Sequence, residues 1–417
     1  MKPRGFSTTA AKLFFWYASL HYSYVWLLNF NPHQVEYPGF GGVYLYLILK
    51  NAVWLGVLAL LAVRSDPERK TLVIRGLVPR GHLMLLFVTG MLLLLISFWK
   101  QPTEVFIDMI DLLGFSFATV LAEFVLRDEA DLPSYTRLIR WIAWVVLGIG
   151  LYQKAIGFVG PHFGRIISTL GGPELLSLFS IFLLGQFLWQ LRHPTKGMDV
   201  VWSLAGIVWV GLIQLYTVTV AGQVAMVVYL LVCAAVLGGR ALWLAGLGLT
   251  GLMIAAWQSE LFQETLYKLQ KLSGDTADIG RLAEHRMFWD FFVKKSTWIE
   301  WLFGAEHGLM KFENQFYFLA YNYGVPVLVA FLLLLWNALL AGWRAWRAVS
   351  VQGERKHADL AFVNLAYFVI VLLVSNITPY LTSFPVNVFA WFGLGAALQV
   401  RTWKRPGRDR GESACGW

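Results

Sequence analysis

Residues 317–341 read YFLAYNYGVPVLVAFLLLLWNALLA, 25 consecutive positions without an Asp, Glu, Lys or Arg. A helix needs about 20 apolar residues to cross a hydrocarbon core of about 30 Å, so this run predicts a transmembrane helix. Working outward, comparable runs stand at 12–30, 43–63, 82–98, 105–126, 139–156, 174–190, 200–218, 224–237, 241–257, 359–377 and 386–400. Together they predict an all-α integral membrane protein of about twelve transmembrane helices. Composition agrees: 58% of the 417 residues are hydrophobic and 14% are charged. Soluble domains carry about a quarter charged residues. Two cysteines, Cys233 in an apolar run and Cys415 in the tail, offer no disulfide framework. The first apolar run has no A-x-A-like cleavage site and is expected to act as the insertion signal.

The basic residues orient these spans. With both termini inside, the cytoplasmic segments are the N-terminus, 64–80, 127–140, 192–199, 238–240, 343–358 and the tail 401–417. They hold about two thirds of the Lys and Arg residues, the bias that the positive-inside rule demands. The net charge of +9 then needs no nucleic-acid partner. Loops such as RSDPERK (64–70) and RAWRAVSVQGERKH (344–357), with the tail RTWKRPGRDRG (401–411), explain most of it as topology signals beside anionic membrane lipids. Residues 1–417 read as a single polytopic membrane domain.

Two outer segments exceed short turns: GFVGPHFGRIISTLGG at 157–172 and a loop at 258–316, between the ninth and tenth spans. The longer one is not disordered in composition. ELFQETLYKLQKLS (260–273) and RMFWDFF (286–292) have helical spacing and few prolines, so a cap of two or three short helices on the outer face is expected. Arg281, Glu284 and His285 stand at i, i+3 and i+4 and share one helix face, continued by Phe288 and Trp289. Asp278 is placed to cap the start of that helix.

The order of these pieces resembles the O-antigen polymerase and ligase superfamily, integral-membrane glycosyltransferases of bacterial envelope polysaccharides. A short outer loop carries FGRIISTLGGPELLS (163–177). The large loop then carries IGRLAEHRMFW (279–289), LFGAEHG (302–308) and FENQFYFLAYNYGVPVL (312–328), which runs into a span. The family's Arg, Trp, Gly-rich turn, polar pair and closing Gly correspond here to Arg281, Trp289, Gly304 with Gly308, Glu313–Asn314 and Gly324. The chain departs from the pattern at TVTVAGQVAM (217–226), where many members place an Arg after small residues and this chain has Gly222–Gln223. Ligases usually show a His where Glu313 stands, so the resemblance points to the polymerase branch, with transfer to lipid A–core as the alternative.

The resemblance implies a bacterial inner-membrane enzyme whose donor is an oligosaccharide on undecaprenyl diphosphate, used at the periplasmic face without metal or cofactor. It also allows a chain-length regulator and a flippase as partners. Negative charge grows on the leaving diphosphate, which fixed guanidinium groups stabilise and hold bidentately. Arg165 and Arg281 are the candidates for that clamp, with Arg286 beside them. The acceptor hydroxyl must lose a proton, for which Glu313, His307, Glu306 and His285 are candidates. Asn314 and Tyr317 would contact sugar, because Glu313, Tyr317 and Tyr321 lie at i, i+4 and i+8. Glu313 has a plainer reading as the cap of that helix. Asp108 and Asp111 either line the acceptor cavity or pair with Lys50 or Lys154. A transporter of lipid-linked sugars is the rival from another class and would predict inverted repeats with helices broken at mid-membrane. With the cap outside, a cysteine introduced at position 270 should react with an impermeant maleimide added to the outer face. Reaction only from the cytoplasmic side would invert the topology.

Overall fold

The computed structural model describes residues 5–21, 50–59, 80–97, 102–157, 168, 170, 172–239, 281–305, 312–377, 380–381 and 383–403, with isolated positions between 243 and 251. Every regular element among them is helical. Five helices are long and apolar enough to cross a membrane: Pro173–Arg192, Gly197–Thr217, Val220–Leu237, Val325–Val351 and Arg355–Val374. A sixth candidate is the pair Asp108–Val125 and Glu129–Ala155, which turns by 91° at its break. Shorter apolar helical stretches are Met84–Ile96, within Arg80–Ser97, and Val386–Val400. The chain is therefore an all-α, multi-pass membrane protein.

Burial separates a centre from a shell. Pro173–Arg192 and Arg355–Val374 have 89% and 83% of their apolar windows inside the protein, against 39% for Gly197–Thr217 and Val325–Val351. All of Val386–Val400 is buried. The central helices approach closely through small residues, as expected where lipid tails compete equally well for apolar side chains. A Cβ on Gly395 would lie 2.2 Å from the Thr119 carbonyl oxygen. Polar side chains add specific ties: the Tyr135 hydroxyl donates to Gln186 Oε1 at 2.9 Å, and Gln186 Nε2 to Asn364 Oδ1 at 3.1 Å. Gln223, the departure from the family pattern, donates to the Gln214 carbonyl at 3.2 Å.

Three expected elements differ in the structure. The run 105–126 is not one helix: Pro102–Leu112 gives way to a 3-10 segment, Gly114–Val120, before Leu121–Val125. The span expected at 139–156 begins earlier, at Leu132, because Pro133 starts the helix where a missing N–H costs nothing. The run 317–341 breaks at Gly324 into Gln315–Tyr323 and Val325–Val351, so Tyr317 and Tyr321 lie on a separate short helix rather than down the face of a span. The second piece continues to Val351, taking in Arg344 and Arg347 that charge alone had placed in a loop.

A second chain segment clasps that break. Trp298–Phe303 starts with a reciprocal Thr297–Glu300 cap and ends at Gly304. Gly304 and Gly324 both have positive φ, +80° and +87°. The Ala305 N–H donates to the Tyr321 carbonyl at 2.8 Å. A Cβ on Gly304 would lie 2.4 Å from the Asn322 oxygen, and one on Gly324 would lie 2.3 Å from the Leu302 oxygen. Both obstacles are backbone, which cannot swing away. Gly304→Ala and Gly324→Ala should therefore each destabilise the protein by more than about 1 kcal/mol. Gly148→Ala, with nothing within 4 Å, should be neutral or stabilising. Thermal unfolding in detergent checks this; equal melting temperatures for all three variants would contradict the clasp.

Candidate functional site

Arg281–Asp290 is the helix expected from IGRLAEHRMFW, and it packs across Gln315–Tyr323. Its composition is too polar to bury a broad face, so specific contacts hold it. One turn after Arg281, the Glu284 carboxylate accepts the Glu313 backbone N–H at 3.1 Å. The next residue, His285, is joined through Nδ1 to the Tyr317 hydroxyl. One turn further, Phe288 stacks on the Tyr317 ring with centroids 4.1 Å apart and planes 14° from parallel. A π-helical turn at Phe291–Lys295 follows. It sets Phe291 4.6 Å from the Tyr321 ring and Phe292 5.4 Å from the Trp301 ring. Phe288, Phe292, Phe312 and Ala320 thus form a small buried core of the cap.

The short helix is anchored at both ends. Asn314 caps it, accepting the Phe316 and Tyr317 N–H groups at 2.9 and 3.1 Å, while its Nδ2 donates to the Asn376 carbonyl at 2.8 Å. The cap role weighed for Glu313 thus belongs to Asn314. Gln315 reaches the same turn, its N–H donating to the Ser375 carbonyl at 3.1 Å and its Oε1 accepting the Leu381 N–H at 3.1 Å. At the far end the Tyr323 hydroxyl donates to Asp108. Asp111, one helical turn beyond, pairs with Lys50 at 2.5 Å. Lys154, the other cation weighed for these acids, sits 5.5 Å from the Tyr216 ring centroid.

The structure therefore brings Glu284, His285, Glu313, Asn314 and Tyr317 together, with Asp108 linked through Tyr323. Asp111 belongs with Lys50, as the pairing reading expects. Arg281 is the first residue of its helix, and Arg286 is exposed. Arg165, His307, Glu306 and Asp278 lie outside the described residues, as does all of 258–280. Tyr323, Gln315 and Asn376 were not among the residues expected here. A Tyr at the membrane end of an aromatic helix was the available signal, because a buried phenol needs a hydrogen-bond partner. Among the described residues, no group of three His, Cys, Asp or Glu side chains could hold a metal ion.

The chemistry of the cluster follows from exposure. Burial pushes the Tyr317 phenol up, against a contact from the Trp289 indole that lowers it. Tyr317 thus keeps its proton; with its hydroxyl donating to His285 Nδ1, Nε2 of the exposed imidazole carries the ring N–H, a hydrogen-bond donor. Exposed Glu313 is held beside it by the Glu284 contact. Beside the clasp lies an apolar groove of about 460 Å³. Leu85, Leu92, Trp301, Val325, Val329 and Leu333 line it, so its walls come from the cap, Arg80–Ser97 and Val325–Val351.

No family model matches the chain, and no curated protein matches it.

The cap's attachment can be separated into packing and polar parts. Phe288 is 7% exposed, so Phe288→Ala should loosen the cap by about 3 kcal/mol. Tyr317→Phe keeps the stack and removes the bond to His285, costing about 1 kcal/mol. Hydrogen exchange over 281–303 reads both. Unchanged protection in Phe288→Ala would show that the aromatic stack does not hold the cap.

Proposed function

We propose that this chain is a bacterial inner-membrane glycosyltransferase that polymerises undecaprenyl-diphosphate-linked oligosaccharide repeat units at the periplasmic face. In this reading twelve helices span the membrane, both termini are cytoplasmic, and residues 258–316 form the periplasmic cap. One observation carries it. An exposed imidazole, a carboxylate and the start of an Arg-bearing helix lie in one small cap, and that cap also walls an apolar groove between two membrane helices. A substrate that is half lipid and half anion requires that combination. The groove suits a polyprenyl tail, and Arg281, with Arg165 and Arg286, would meet the diphosphate. The outer residues His285, Glu313 and Asn314, with His307, would meet the acceptor sugar.

In this mechanism the acceptor hydroxyl gives its proton to a base as its oxygen attacks the anomeric carbon, and the lipid diphosphate leaves with the bonding electron pair. Fixed guanidinium groups lower the energy of the leaving charge more than that of the bound donor, which is what accelerates the step. Arg281→Ala should therefore cut turnover by about 10²–10³, and Arg281→Lys should recover part of it, because Lys restores charge without the planar fork. The assay is purified full-length protein incubated with a defined undecaprenyl-diphosphate oligosaccharide, products separated on a gel. A ladder supports polymerisation, and a single transfer to added lipid A–core supports the ligase reading. Unchanged donor, or near-normal turnover in Arg281→Ala, would overturn the assignment.

A further inference from the structure

The opposite end of the bundle holds a second, polar cavity that the proposed reaction does not use. Its volume is about 430 Å³, and its walls come from the helices Leu132–Ala155, Pro173–Arg192 and Gly197–Thr217 with Lys356 and Glu129. Four Lys or Arg residues line it against two acids. The acids are already matched: Asp199 pairs with Arg140 at 2.8 Å, and Glu129 pairs with Lys356 at 3.0 Å. Arg137 and Lys196 remain, exposed at the cavity and without an ion pair among the described residues. Gln190 lines the cavity, is only 3% exposed, and its Oε1 accepts from Arg140 Nε at 2.8 Å, which fixes that guanidinium in the wall. Its Nε2 has no hydrogen-bond partner among the described residues, although a buried amide donor left unpaired is costly. The cavity therefore has an excess of positive charge, which favours an anionic oxygen ligand.

The mouth of the cavity says where that ligand comes from. Met198 and Trp202 line it, and both belong to the first turns of a membrane-spanning helix. They are 61% and 39% exposed, and Val201 between them is 57% exposed. An apolar strip of this kind at a helix end faces acyl chains rather than water. The loop-charge count places this end in the cytoplasm, where anionic lipids attract basic residues. We propose that the cavity binds the phosphate of an anionic phospholipid headgroup from the cytoplasmic leaflet, with its chains along Met198, Val201 and Trp202. Arg137 and Lys196 contact the phosphate. The bound lipid would brace the turn between Pro173–Arg192 and Gly197–Thr217, and so the central helix of the bundle.

Native mass spectrometry of the detergent-purified full chain tests this, using phosphatidylglycerol and phosphatidylcholine with identical acyl chains. Wild type should retain phosphatidylglycerol in preference to phosphatidylcholine, and the double variant Arg137→Gln/Lys196→Gln should lose that retention by about tenfold. Lys294→Gln/Lys295→Gln removes the same charge from the cap and should leave retention unchanged. Millimolar inorganic phosphate should not displace the lipid. Equal retention of both lipids, equal loss in both double variants, or no loss in the Arg137/Lys196 variant would overturn the site. Displacement by inorganic phosphate would overturn its assignment to lipid. Both substituted pairs are exposed, so elution as wild-type-like particles on size exclusion establishes that the fold survives.

Discussion

Hydrocarbon offers a backbone no water to bond, and each amide left unpaired there costs several kcal/mol. The fold follows from that constraint. Among the described residues the apolar segments are helical, and at two breaks protein atoms take over the hydrogen bonds. At Gly324 the helix breaks, yet its own N–H donates to the Ala320 carbonyl at 3.0 Å and the neighbouring Tyr321 carbonyl is taken by Ala305. At Gly114–Val120 the 3-10 geometry is repaired from outside: Trp54 Nε1 donates to the Gly114 carbonyl at 3.0 Å. The Ser116 and Thr119 hydroxyls take the carbonyls of Leu113 and Ser116. Both breaks border the Asp108–Tyr323 contact, so irregular backbone gathers where the bundle meets its cap.

The cap depends on the break in turn. Had 312–351 been one straight helix, Tyr317 and Tyr321 would point along a membrane span. Turned at Gly324, they form a platform on which Phe288, Phe291 and His285 rest. The same turn lets Trp301 reach down to the groove beside Val325 and Leu92. Charge can gather beside a membrane at modest cost here, because Glu284 and Asn314 spend their oxygens on backbone N–H groups and His285 and Glu313 remain exposed.

Much of this was legible in the sequence. Uniform apolar runs such as 173–192, 197–217 and 386–400 lie within a few residues of their expected limits, since hydropathy alone decides them. Hydropathy could not see the breaks at Gly114 and Gly324, because neither interrupts the apolar composition. At Gly114–Val120 the Thr119 backbone meets Gly395, a tertiary contact that no local pattern encodes, whereas at Gly324 the Leu302 backbone approaches a break that Pro326, at the start of the next helix, also marks locally. Within the site, the i, i+3, i+4 spacing correctly put Glu284 and His285 on one face. The sequence did not reveal that this face meets Glu313 and Tyr317, about thirty residues on, because that pairing depends on the clasp of two glycines. Asn314 rather than Glu313 caps the short helix, consistent with the stronger preference of Asn for that position.

The central claim is that the cap end of the bundle receives a lipid-linked diphosphate. Photo-crosslinking tests it most directly. Full-length protein in liposomes is illuminated with an undecaprenyl-diphosphate glycan carrying a diazirine in the first isoprene units, and the adducts are mapped by peptide mass spectrometry. The account predicts adducts within 281–303 and 325–333. Adducts spread evenly over all lipid-facing helices, or confined to the opposite end near 193–202, would contradict it.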